Sequence, residues 1–253
     1  MSEQLDKVTE QLCSLPPAKY DDLSVLFLNC TLSRSPIMSH TEGLIRVAQG
    51  IFERAGVKQT EILRPVDYEI PAGLGLDMSQ TPEWDKDDWP MIQAKIDACD
   101  ILIIGCSVWL GEKSSVASRT LERMYGYTHQ FNDKGQYRDY GKVGACLITG
   151  NEDGVKHCAM NLLFSLSHIG YTVPPQADAG WMGEAGPGPS YMDPGSGGPE
   201  NDFTNRNTTF LVWNCLHLAR MLKDNGGIPA HGNLPDAWDA GCKAGFHSPE
   251  HQR

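Results

Sequence analysis

Five hydroxyls, one arginine and one histidine fall within the fourteen residues from Asn29 to Glu42 (NCTLSRSPIMSHTE), and no acid precedes Glu42. Ser39 and Glu42 stand at capping-box spacing, in which the hydroxyl takes a helix amide and the glutamate reaches back. That pair sets a helix N-terminus beside the hydroxyls. Helix amides, Ser and Thr donors and a guanidinium together make an anion site sized for a phosphate. The candidate ligands are Thr31, Ser33, Arg34, Ser39, His40 and Thr41. The competing reading is a polar turn with a good cap. Neither the nucleotide-loop pattern G-x-x-x-x-G-K-[ST] nor the dinucleotide pattern G-x-G-x-x-G is present.

Two further turns carry chemistry. Ser107, Val108, Trp109, Leu110 and Gly111 follow an apolar run, and an exposed Trp there loses solvation unless something flat covers it. A planar ring would cover it, with loop amides meeting the ring's polar edge and Gly111 permitting close approach. The alternative is a core Trp under a loop. Thr149, Gly150, Asn151 and Glu152 form a polar turn that would wrap the same ring from its other side, with Asp153 as a candidate N-cap.

These turns need elements to hold them. Leu23 to Asn29, Asp100 to Cys106 and Lys142 to Thr149 are apolar runs of strand length, each followed by a helical pattern. Gly56 and Gly170 mark two helix stops. Strands are also expected at Thr60 to Leu63 and near Tyr171 to Gln176, where Pro174 and Pro175 allow only an edge strand. Trp89 to Ala98 and Asn205 to Lys223 complete the helices. Apolar strands alternating with amphipathic helices predict a parallel sheet covered on both faces, which binds ligands at the carboxyl ends of its strands. Residues 178 to 202 hold seven Gly and four Pro, so they read as a loop, and Trp181, Met182 and Tyr191 argue that it is docked.

Composition narrows the partners. The 253 residues carry 21 Lys and Arg against 32 Asp and Glu, a net charge of -11, which excludes nucleic acid as a default partner. The acids concentrate in residues 67 to 100, with nine acids and two Lys, and in residues 157 to 205, with five acids and no Lys or Arg. The longest apolar runs fall far short of the ~20 residues that span a bilayer. The first ten residues lack the apolar core of a secretory signal, so a cytoplasmic protein is expected. The eight Cys include no C-x-x-C, which argues against zinc ribbons and iron–sulfur clusters, and no metal site is expected. Most should be reduced, buried side chains, Cys106 included. His157 and His168 share a helix but stand three turns apart, too far to share a metal. Arg206 opens the last helix and reads as solvated.

Taken together, Leu28 to Thr41, Asp100 to Lys113 (DILIIGCSVWLGEK) and Gly141 to Gly154 (GKVGACLITGNEDG) resemble the phosphate loop, the isoalloxazine loop and the flavin-edge loop of the NAD(P)H-dependent FMN reductases, in the flavodoxin-like superfamily. The chain departs from that pattern at Thr-Leu-Ser-Arg-Ser-Pro, where Gly-Ser-Pro-Arg is usual, and at Cys106-Ser107. The resemblance implies a flavodoxin-like three-layer sandwich with a five-stranded parallel sheet. Residues 1–21 would be a helical extension, 22–224 the FMN-binding domain and 225–253 an irregular tail. It implies FMN as cofactor, NADPH or NADH as electron donor, and a quinone, azo, nitro or flavin acceptor. It also implies a homodimer or homotetramer, with the 178 to 202 loop as a candidate contributor. The catalytic residues stay unassigned, because flavin chemistry requires no protein acid or base. A flavodoxin-type electron carrier without NAD(P)H activity is the alternative; a fold-sharing protein without flavin would leave Trp109 and the hydroxyl-rich turn unexplained.

Overall fold

The computed structural model describes residues 16–186 and 188–241, together with residues 7, 10, 11, 13 and 14. Ser24–Cys30 (β1), Gln59–Leu63 (β2), Ile101–Trp109 (β3), Val143–Gly150 (β5) and Asp178–Met182 (β6) form a parallel sheet in the order β2-β1-β3-β5-β6. A sixth, two-residue strand, Glu112–Lys113 (β4), turns back antiparallel on the end of β3. Helices α1 (His40–Arg54) and α5 (Asp202–Asp224) cover one face, and α2 (Trp89–Ala98), α3 (Ser115–Tyr125) and α4 (Val155–His168) cover the other. Because both faces are buried, the central stretches of β1, β3 and β5 are continuous apolar runs rather than alternating.

Alternation along each strand divides those side chains between two cores. Val25, Phe27, Ile101, Ile103, Ala145 and Leu147 pack with Leu44, Phe52, Leu211 and Cys215. Leu26, Leu28, Leu102, Ile104 and Ile148 pack with Trp89, Ile92, Met124 and Leu162. The register pairs Cys30 with Cys106 and Cys106 with Ile148, so the three polar turns leave the sheet side by side.

The expected helix over Trp89 to Ala98 is found at those bounds. The last helix starts earlier, at Asp202, because Asn201 caps the Thr204 amide at 2.9 Å. The expected fifth strand near Tyr171 to Gln176 contributes only a bridge from Thr172 to Val143. Pro174 and Pro175 have no N–H for a ladder, and the chain joins β5 at Asp178 instead. Of the helical extension expected over residues 1–21, most of residues 1–15 lie outside the described residues. In the 225–253 segment, Pro235–Asp239 forms a short helix, α6, and Gln136 Nε2 donates to the Pro229 carbonyl at 3.2 Å and to Asn233 at 3.3 Å. That contact lies beside the start of β5, at the opposite end of the sheet from the turns; residues 242–253 fall outside the described residues.

Several acids of the 67 to 100 segment are internal tethers. Asp67 takes the Ser35 amide and hydroxyl, Asp77 caps the Ser79 amide, and Asp87 meets Arg123. Six of the seven described cysteines are buried, and all seven are free thiols.

Candidate functional site

The 31–39 turn is shaped from behind. Arg64 directly follows β2 and is itself buried. Its Nη1 donates to the carbonyls of Ser33 (3.0 Å) and Ile37 (2.7 Å), while Nη2 binds the Glu42 carboxylate. Glu42 also takes Arg46 Nε at 3.0 Å and Nη2 at 2.6 Å, and Asn29 Nδ2 at 3.4 Å. Ser39 accepts the Glu42 amide at 3.1 Å, which is half of the expected capping box; the reciprocal bond to the Ser39 amide is not made, because Arg64, Arg46 and Asn29 take the Glu42 carboxylate. The opening amides of α1 therefore face the turn.

β3 supplies the second wall. It runs through Ser107 and Val108 to Trp109, whose Nε1 donates to Ser107 Oγ at 3.0 Å and which stays 53% exposed. Leu110 and Gly111 then close a tight hairpin with φ of 53° and 76°. The third wall is β5, where the hydroxyls of Thr149 and Thr41 bond at 2.8 Å. A Cβ at Gly150 would come within 2.7 Å of Val108, so only glycine lets these two walls meet. The Gly/Pro loop forms the roof: Asn151 Nδ2 donates to the Gly188 and Pro189 carbonyls at 2.8 and 3.0 Å, and the Met192 amide donates to His40 Nδ1 at 3.1 Å.

Between these walls lies a cavity of about 600 Å³. Of the residues expected from the sequence at a cofactor site, Thr31, Ser33, Ser39, His40, Thr41, Ser107, Val108, Trp109, Thr149, Gly150, Asn151 and Glu152 line it. Three expected residues do not. Arg34 faces a second cleft of about 450 Å³ with Tyr68, Trp84 and Lys86, because Arg64 already occupies the inner side of its turn. Leu110 and Gly111 sit at the hairpin tip outside the cavity. Sequence reasoning missed Leu32, Ile37, Met38, Gly186, Gly188, Ser190 and Tyr191 on the lining; the docking expected of Tyr191 was the available signal for the loop residues. Cys106 is buried beneath β3 rather than exposed to the cavity. Along α4, His157 pairs with Glu112 at 2.8 Å while His168 stacks on Phe164 and Tyr125, so each has its own partners.

Among the described residues, the wall carries no Lys or Arg, and its one acid is Glu152. What it offers an anion is hydroxyls and helix amides, backed by the Arg64–Glu42–Arg46 cluster. Residues 23–182 match the NADPH-dependent FMN reductase family. The chain belongs to that family. Among curated relatives of this NADPH-dependent FMN reductase family member, the 8-demethyl-8-aminoriboflavin-5'-phosphate synthase of Streptomyces davaonensis is 38% identical over 206 residues, 80% of this chain and 79% of that protein. A protein named divalent metal cation transporter MntH, from Mycobacterium bovis, is 55% identical over 215 residues, 85% of this chain; the chain spans 31% of that protein's length. No helix among the described residues is long and apolar enough to cross a membrane. The crystal structure of RosB with bound 8-demethyl-8-formylriboflavin-5'-phosphate superposes with a TM-score of 0.77 at 35% identity, covering 89% of this chain and 90% of RosB. A flavone reductase, at 11% identity and a TM-score of 0.55, shares the fold.

The family's ligands are FMN and NADPH, and the cavity fits the flavin. Its hydroxyls and helix amides suit a phosphate, and the exposed Trp109 face suits a ring. Its volume lies within the usual range for a small-molecule site.

Two outcomes follow from this geometry. Leu110, 92% exposed at positive φ, occupies a place that favours Asn or Gly. Leu110→Asn should therefore stabilise the protein by about 1 kcal/mol, read as a higher unfolding temperature by calorimetry. Glu42 is the pH-sensitive member of the cluster: burial alone would raise its pKa, but hydrogen bonds from Arg64 and Arg46 hold it below the ordinary 4.5. A lowered carboxyl pKa contributes stability that is present above 4.5 and lost as the pH falls through the folded value. The stability gap between wild type and Glu42→Gln should accordingly shrink on acidification below that value, as followed by denaturant titration.

Proposed function

We propose that the chain is an FMN-dependent oxidoreductase that takes electrons from NADPH or NADH and passes them to a small planar acceptor such as a quinone, azo, nitro or flavin compound. The observation that carries this reading is one cavity with neutral phosphate donors at one end and the exposed Trp109 at the other. FMN, when bound, supplies the electron-carrying ring. Thr31, Ser33, Ser39 and Thr41 would hold its phosphate, and Val108 and Trp109 would flank the ring. The Gly150 to Glu152 turn would meet the ring's polar edge, and the loop at Gly186 to Tyr191 would exclude water from above. No acid or base of the protein is assigned a proton transfer.

The test is reconstitution with FMN followed by anaerobic mixing with NADPH and with NADH. Rapid loss of the bound flavin's visible absorbance supports the proposal. A protein that binds FMN but stays oxidised would be the electron carrier, and one that takes up no FMN would overturn both. A second reading, in which the flavin phosphate is itself modified, is favoured by the 38% identity to the aminoriboflavin phosphate synthase; mass analysis of the flavin recovered after turnover separates the two. A cytoplasmic homodimer or homotetramer completes the proposal. Supporting it are the buried free thiols and the apolar side chains left exposed around the cavity mouth, among them Ile37, Met38 and Leu110. Size-exclusion chromatography with light scattering tests the assembly.

A further inference from the structure

Among the described residues, the cavity lining includes no Lys or Arg, yet a phosphate dianion needs positive potential and aligned donors. The buried Arg64 lies one layer behind the wall and supplies both. Its two contacts to the turn are to the carbonyls of Ser33 and Ile37. The Ser33–Arg34 and Ile37–Met38 bonds are trans, and a trans peptide sets the carbonyl of one residue antiparallel to the N–H of the next. By taking those two carbonyls, Arg64 turns the Arg34 and Met38 amides away from itself. Neither amide has a hydrogen-bond partner among the described residues. Ser33, Ile37 and Met38 all line the cavity.

We propose that Arg64 is the positioning residue that makes the cavity select a phosphorylated over an unphosphorylated flavin: it orients the Met38 amide as a phosphate donor and, with Glu42 and Arg46, sets a net positive cluster behind it. This rests on the FMN reading above and adds the source of selectivity within it. Glu42 and Asn29 complete the device. Glu42 fixes the other end of the guanidinium, and Asn29 Nδ2 ties Ser39 at 3.1 Å into the same network.

The experiment titrates the flavin-free protein, full chain, with FMN and with riboflavin, reading flavin fluorescence for wild type, Arg64→Gln and Arg64→Lys. Losing an aligned donor and one positive charge should weaken FMN binding by about 10-fold in Arg64→Gln, with riboflavin affinity little changed. Arg64→Lys, which keeps the charge and loses the fork, should fall between Arg64→Gln and wild type. If Arg64→Gln does not fold, Arg64→Lys alone should lower the FMN-to-riboflavin ratio in the same direction. An equal loss for both flavins in these variants would make Arg64 a structural residue only and overturn the proposal, as would an unchanged ratio or a wild type that does not discriminate between the flavins. A wild type that binds neither flavin would instead defeat the FMN reading.

Discussion

Replacing Arg123 with methionine is expected to destabilise the protein by about 3–5 kcal/mol, because it strands a carboxylate in a site without water. Arg123 Nη2 meets Asp87 Oδ2 at 2.6 Å, and neither side chain is exposed. Asp87 does more than pair: it accepts the Met78 amide at 2.8 Å and the Trp89 amide at 2.9 Å. Arg123 in turn lies 5.9 Å over the Trp89 ring and donates to the Gly73 carbonyl at 3.3 Å. One ion pair thereby ties the 71–88 segment to α3 and to the start of α2. At about 2–4 °C per kcal/mol for a chain of this size, the loss corresponds to a fall of roughly 6–20 °C in unfolding temperature. The double variant Arg123→Met, Asp87→Leu removes both charges and should recover more than half of the loss. A single variant that costs less than about 1 kcal/mol would mean that water reaches the pair.

That pair also shows where sequence reading stops. Residues 67 to 100 read as an acidic surface awaiting a partner, since composition counts charges and cannot locate them. In the fold, Asp67 pins the Ser35 turn, Asp87 is enclosed with Arg123, and Asp97 binds Arg138. The strands β1, β3 and β5 were legible because a sheet buried on both faces leaves continuous apolar runs. β6 was not: Asp178, Ala179 and Gly180 carry little strand propensity, and pairing with β5 together with cover from α4 and α5 makes them a strand.

The site divides in the same way. Ser39 and Glu42 declared the helix start through their spacing alone, and Trp109 was conspicuous by its position after an apolar run. Arg64 carried no such signal. It is a single arginine after a short strand, and only the parallel pairing of β2 with β1 brings it beneath the 31–39 turn. With that inner position filled, the Arg34 side chain is left to the outer cleft. The roof was equally hidden. Glycine and proline content marked residues 178 to 202 as a loop, but only the contacts of Asn151 and His40 show which surface it covers.

Glycine placement gives the second large effect. Sequence reading assigns Gly111 the role of letting a ring approach the backbone; a separate tight contact, within the protein, is made by Gly154 at the start of α4. Its φ is 137°, and a Cβ there would stand 2.6 Å from the Gly111 carbonyl oxygen and 2.8 Å from that residue's Cα. The obstacle is backbone, so no rotamer change relieves it. Gly154→Ala must push the β3–β4 hairpin off α4, carrying Trp109 away from the cavity and parting Glu112 from His157, now 2.8 Å apart. Backbone strain and lost contacts should together cost about 2–3 kcal/mol of stability, and the displaced wall should weaken FMN binding by at least about 10-fold. Gly111→Ala is the informative comparison. It shares the positive φ, at 76°, but its nearest obstacle is the Asp153 carbonyl oxygen at 3.7 Å, so it should lose some stability and keep most of its FMN affinity. Calorimetry and flavin titration of the two variants separate backbone strain from collision. Equal losses of FMN affinity would show that the hairpin's hold on α4 does not set the position of Trp109.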